Sequence, residues 1–186
     1  FPEDNLAFVR YHFFHSQRDV PEREAKTEAM MNRMRHAAMI FGVTVQSQPV
    51  VEALYLDYLD ALNVHFERYP YLLGWRPCIG DFGLIGPMYA HLGRDPYPAR
   101  LMQQRAPAVY RWVERMNRED SDASEYFNAG SDFPADDEVP ETLVGVLKIL
   151  AEDFVPETLA AAALINEWLD EHQPEAGAVA VGRLAE

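Results

Sequence analysis

Cysteine is almost absent. Cys78 stands alone among 186 residues, so no intramolecular disulfide can form, and the chain suits a reducing, cytoplasmic setting. No apolar run approaches the roughly 18 residues that a membrane-crossing helix needs. The N-terminus lacks the basic, apolar and small-residue zones of a secretory signal. An initiator Met is also missing. Phe1-Pro2-Glu3-Asp4-Asn5 reads as an internal connection, and the expectation is that these residues belong to a longer chain. Alternation of period two between turn signals occurs nowhere, which leaves no candidate strand. No Gly-rich phosphate loop, Ser/His/Asp spacing or Cys/His nucleophile pair is visible.

Positive charge is scarce and unevenly placed. Residues 1–118 hold 14 Lys and Arg against 13 Asp and Glu, a balance of +1. The last 68 residues hold 17 acidic residues against Lys148 and Arg183, a balance of −15. Nucleic-acid binding needs clustered cations against phosphate. No such surplus exists, so nucleic acid and anionic membrane surfaces are disfavoured as partners.

What is present reads as all-α. A hydrophobic fraction of 48% over 186 residues is enough for one domain with its own core. A short helix is expected from about Asn5 to His15. Glu22 to about Phe41 forms the next, with Met30, Met34, Ala37 and Phe41 on one stripe and Gly42 as its stop. Pro49 opens a third, whose stripe is Val51, Leu54, Tyr58, Leu62, His65 and Tyr69. The two long helices read as an antiparallel hairpin. Residues 99–118 are expected to form one helix holding Trp112. Glu119 to Glu141 carries nine acidic residues and no Lys or Arg. It is expected to be a surface loop anchored by Tyr126, Phe127 and Phe133. Two further helices are expected after Pro140, separated at Pro156 and ending near Pro174, and residues 175–186 form a frayed tail.

The stretch Arg76 to Leu92 organises the chain. Cys78 and Asp81 have capping-box spacing, from which a carboxylate reaches back to the N-cap N–H. Phe82, Ile85, Tyr89 and Leu92 then recur at steps of three and four. Gly80, Gly83 and Gly86 would admit a closely packed neighbour, and Pro87 should bend the helix. The approach Tyr71-Leu72-Leu73-Gly74 with Arg76-Pro77, the box Cys78-Ile79-Gly80-Asp81, and the following Pro107, Val109, Trp112, Val113 and Met116 resemble the all-helical C-terminal domain of glutathione S-transferases. The resemblance covers about residues 22–118. The family usually has Ser or Thr where this chain has Cys78.

The resemblance implies a helical bundle over 1–118, to which the acidic loop and extra helices of 119–174 are added on the same domain. A complete member also has a thioredoxin-fold domain that binds glutathione as co-substrate. A Tyr, Ser or Cys on that domain stabilises the thiolate that attacks an electrophile. That domain is not in these residues, so this chain alone carries no catalytic residue. It would supply the wall of a pocket for a hydrophobic electrophile and, typically, part of a homodimer contact. The pocket wall in this family comes partly from the end of the first long helix, which points to Met34 and Phe41. Met is suited to such a wall because it repacks around varied ligands, although an ordinary core stripe explains the same pattern. The alternative function is a non-catalytic assembly module of the same helical type, as in translation elongation factor subunits.

Other candidates have plain structural readings. Cys78 is a cap substitute or a thiol activated by the helix N-terminus. Asp81 is a folding residue. His12 and His15 have the spacing of a metal pair but lack further ligands. His65 and His91 fit core histidines. Asp120-Ser121-Asp122 begins like a calcium loop, but the required Gly and Glu are missing.

Overall fold

A computed structural model describes residues 3–118 and 123–178. The regular elements among them are all helical, with one isolated bridge between Tyr71 and Gly74. The protein is therefore all-α. The chain divides into two compact units, Phe1–Leu147 and Lys148–Glu186. Within the first lie α1 (Glu3–Phe14), α2 (Val20–Ile40), α3 (Gln48–Phe66), α4 (Ile79–Pro87), a π-helical turn (Met88–Leu92), α5 (Pro96–Arg105) and α6 (Pro107–Met116). The last helix, α7 (Glu141–His172), begins in the first unit and makes up most of the second. No helix among the described residues is long and apolar enough to cross a membrane.

The core of the first unit sits where α3, α5 and α6 meet the π turn and the start of α7. Leu59, Leu62 and Phe66 of α3 are buried against Trp112 and Val109 of α6. Met88, Met102, Leu143 and Val146 close the cluster from the other sides. Phe66 and Trp112 stack with ring centres 5.0 Å apart and planes within 11°. Asp60 and Arg105 form a bidentate pair, both bonds 2.7 Å, which ties α3 to α5 at the surface.

Helices form at the four expected positions up to Pro87, but the buried faces are rotated. On α2 the buried residues are Thr27 and Met31, whereas Met30, Met34 and Ala37 are half-buried. This helix packs mainly on α1, so only a narrow strip is covered. Burial on α3 runs through Leu59, Leu62, His65 and Phe66, and Val51 is exposed. On α4 the inward residues are Asp81, Leu84, Ile85 and Met88, whereas Phe82 and Tyr89 lie outside. Asp81 is pulled inward by its hydrogen bonds, and positions three, four and seven residues later follow it. The glycine expectation holds at Gly80, where the Leu72 side chain lies 3.1 Å from an added Cβ, and fails at the other two. A Cβ on Gly83 or Gly86 would meet nothing within 4 Å. Pro87, expected to bend the helix, is the last residue of the α-helix, and a wider π turn follows.

Two prolines behave differently from expectation. Residues 99–118 are two helices rather than one, because Pro107 forces Ala106 out of the helical region to φ −132°, ψ 62°. Pro156, expected to separate two helices, lies inside the continuous α7. It removes one backbone bond without ending the helix. On the α7 wheel, Leu150, Phe154, Ile165 and Trp168 share one side, and Glu152, Glu167 and Asp170 lie on the other.

The acidic segment is a strap tied at one aromatic residue. The Tyr126 hydroxyl donates to the Phe66 carbonyl and, at 3.3 Å, lies near that of Tyr69. Trp75 meets the Tyr126 ring edge-on at 6.0 Å. Glu125 accepts from the buried Arg115, which also donates to the Pro70 carbonyl at 2.9 Å. Gly74 adopts φ +96°, and Pro134 packs 3.1 Å from where its Cβ would be. Phe127, an expected anchor, is 97% exposed, and Phe133 is exposed as well. Residues 119–122 and 179–186 lie outside the described residues, and with them the Asp120-Ser121-Asp122 motif and most of the expected tail.

Two glycines give opposite predictions. Gly83→Ala should raise stability by about 0.5–1 kcal/mol, since it removes helix-interior Gly entropy into open space. Gly130→Ala should lower it by about 1–3 kcal/mol, because a Cβ there runs into the Trp75 indole. Urea unfolding of the two variants checks both signs.

Candidate functional site

A cleft of about 270 Å³ opens between α1, α2 and the π turn with the connector after it. Helical spacing builds its α1 side: Asn5, Phe8, Val9 and His12 stand at steps of three and four and face one way. Met31 and Met34 of α2 supply an apolar floor. The π turn and connector bring His91, Arg94 and Asp95 to the opposite side. The extra residue per turn after Pro87 decides where His91 falls. Phe8 and His12 stack at 3.9 Å, which fixes the imidazole against the α1 wall.

Asp95 is the unusual member. It occupies the N-cap of α5 with extended backbone angles, φ −65° and ψ 130°, yet makes no capping bond. The local sequence explains why. Pro96 and Pro98 have no N–H to offer, and the Tyr97 N–H donates instead to Asn5 Oδ1 at 3.1 Å. The carboxylate is thereby released toward the cleft, half-buried. Burial pushes its pKa up, while His91, Arg94 and His12 pull it back. A partly buried carboxyl beside two imidazoles can accept a hydrogen bond or exchange a proton with a bound molecule.

The anticipated site residues divide. Met34 lines the cleft, but Phe41 does not; it is the C-cap of α2 and 83% exposed. His91, read as a core histidine, is exposed at the cleft. His15 does not join His12 there but stacks on Tyr11 at 5.5 Å. Among the described residues no group of three or more His, Cys, Asp or Glu is placed to hold a metal ion. Sequence reading passed over Asp95, although a signal was present in Asp95-Pro96-Tyr97-Pro98, where Pro98 deletes one of the two donors an N-cap carboxylate would use.

Cys78 and Asp81 form the capping box at the start of α4. The Asp81 carboxylate accepts the Cys78 N–H at 2.9 Å. The Cys78 sulfur in return faces the Asp81 N–H, a weaker bond because sulfur is a poor acceptor. Asp81 also accepts the Leu72 N–H at 3.1 Å and the Trp112 indole N–H at 3.0 Å, and it is fully buried. Burial pushes the Cys78 pKa up despite nearby backbone N–H groups, so the sulfur rests as thiol rather than thiolate. Beside this cluster, His65 Nε2–H donates to the Tyr71 carbonyl at 3.1 Å, and Nδ1 accepts from Thr142 at 2.8 Å. A carbonyl cannot donate, which sets the tautomer. Burial lowers the His65 pKa, with Tyr71, Asp81 and Leu72 opposing.

Comparison with protein-family models, curated proteins and solved structures finds no match to this chain.

Two predictions follow from the polar core. Asp81→Ala leaves three N–H donors without their acceptor, at about 1 kcal/mol or more each. A loss of roughly 3 kcal/mol is expected, and an unchanged melting temperature would remove Asp81 from its structural role. For His65 the folded pKa lies below the ordinary 6.5. As pH falls, the unfolded chain therefore takes up the proton first. The contribution is full above that value and is lost as pH drops below it toward the folded pKa. Melting temperatures between about pH 8 and pH 5 should fall more steeply for the natural protein than for His65→Gln; parallel slopes would contradict this.

Proposed function

We propose that this chain is the helical domain of a glutathione-transferase-like protein and that its cleft forms the wall of a pocket for a hydrophobic electrophile. The capping box carries the reading. Asp81 opens α4 from the centre of the unit and is bonded by Trp112 of α6, the residue that the family resemblance placed in the next helix. Met34, singled out for the pocket wall, lies in the cleft. In this reading glutathione is the co-substrate and is bound on a thioredoxin-fold domain outside these residues, in a cytoplasmic protein that forms homodimers. This chain's own part is to bind and orient. Phe8, Val9, Met31 and Met34 remove the electrophile's apolar surface from water, at about 25 cal/mol per Å², and the polar side of the cleft limits its orientation.

One observation favours the assembly-module alternative. On the outward side of α4, Ile79 is 88% exposed and Phe82 60%, beside the open positions of Gly83 and Gly86. An apolar strip of this kind is a candidate contact for another protein.

Calorimetric titration of glutathione into the longest natural form of the protein, with these 186 residues as control, separates the two. Binding to the long form alone is the outcome expected of the transferase reading. No binding to either form would favour the assembly module.

A further inference from the structure

Arg94 and Asp95 are consecutive residues of opposite charge that line the same cleft. They do not form an ion pair with each other, and neither forms one with any other described residue. The Arg94 guanidinium lies 5.7 Å from the centre of the Tyr89 ring, a contact that leaves its N–H groups open. The Asp95 carboxylate has been released from capping by Pro96, Pro98 and the Asn5–Tyr97 bond. The polar side of the cleft thus presents one open donor group and one open acceptor group. Facing them is an apolar floor of Phe8, Met31 and Met34.

We propose that the cleft binds a zwitterionic amino acid with an apolar side chain. Its ammonium group sits on Asp95, its carboxylate on Arg94, and its side chain against Phe8, Met31 and Met34. His12 and His91 flank Asp95 from α1 and the π turn and add hydrogen-bonding groups beside it. The pair of charges selects against simpler ligands. An amine alone leaves Arg94 without a partner while covering it, and a carboxylic acid alone does the same to Asp95. A site built around a polar group rejects the analogue that lacks it far more strongly than it rejects a change of one methylene. The inference rests on the same cleft as the proposed electrophile pocket but does not require glutathione.

The test uses three ligands of one shape: L-phenylalanine, 2-phenylethylamine and 3-phenylpropionate. Binding to the chain is read by ligand-observed NMR and calorimetry near neutral pH. L-Phenylalanine is expected to bind at least about tenfold more tightly than either analogue. Asp95→Asn should remove its advantage over 3-phenylpropionate, and Arg94→Gln its advantage over 2-phenylethylamine. Met34→Ala should weaken all three alike. Because Asp95 does not cap α5, Asp95→Asn should leave the melting temperature unchanged, which separates a binding loss from unfolding. Absence of saturable L-phenylalanine binding would overturn the proposal. So would analogues that bind within about threefold of it, or single variants that leave the preference intact. A negative glutathione titration beside a positive result here removes only the transferase reading; the reverse pair of results removes only this one.

Discussion

The buried carboxylate of Asp81 is the constraint on which the first unit depends. Removing a charge from water is costly. The cost is offset by three N–H donors from three separate places: Leu72 in the connection after α3, Cys78 at the start of α4, and Trp112 on α6. Such donors serve only if all three segments are held in register. One side chain therefore sets the path of residues 70–78, the rotation of α4 and the position of α6. The rotation of α4 sends Leu84, Ile85 and Met88 inward and leaves Ile79 and Phe82 outside. Trp112, fixed by its indole N–H, presents its face to Phe66, and the aromatic stack continues the polar anchor into the apolar core.

From the same helix the chain passes to the cleft. Pro87 cannot continue the α-helical ladder, and the π turn that replaces it carries His91 to the surface facing α1. The prolines at 96 and 98 then leave Asp95 without capping work. Three residues that donate no backbone hydrogen bond thus shape the polar side of the cleft.

The helices, their caps and the box at Cys78 and Asp81 were legible because they are local: they depend on spacing, on Pro and Gly, and on neighbours within one turn. The faces were not. Counting apolar residues put Phe82 and Tyr89 inward, but hydrogen bonds to a buried Asp81 outweigh an apolar count on a short helix. Phe41 followed from the resemblance, as a residue at the end of the first long helix, and it stands exposed outside the cleft that Met34 lines. Phe127 and Tyr126 looked alike as anchors. Only Tyr126 has a hydroxyl, and it finds the carbonyls at the end of α3, sixty residues earlier. Asp95 was hidden by its ordinariness, since an Asp before a helix reads as a cap until the donors are counted one by one.

The strap has a consequence for how the protein is made. His65 and Thr142 are bonded across 77 residues of sequence, and Leu143 and Val146 complete a core whose other members lie on α3 to α6. A chain that has left the ribosome as far as Met116 contains six of the seven α-helices among the described residues, but His65 still lacks its bond to Thr142 and the core still lacks Leu143 and Val146. Until the strap and the first turns of α7 emerge, that partly built core faces solvent, and the interval is long in the terms that govern folding speed. The segment between α6 and α7 thus sets the sequence separation across which this core is closed.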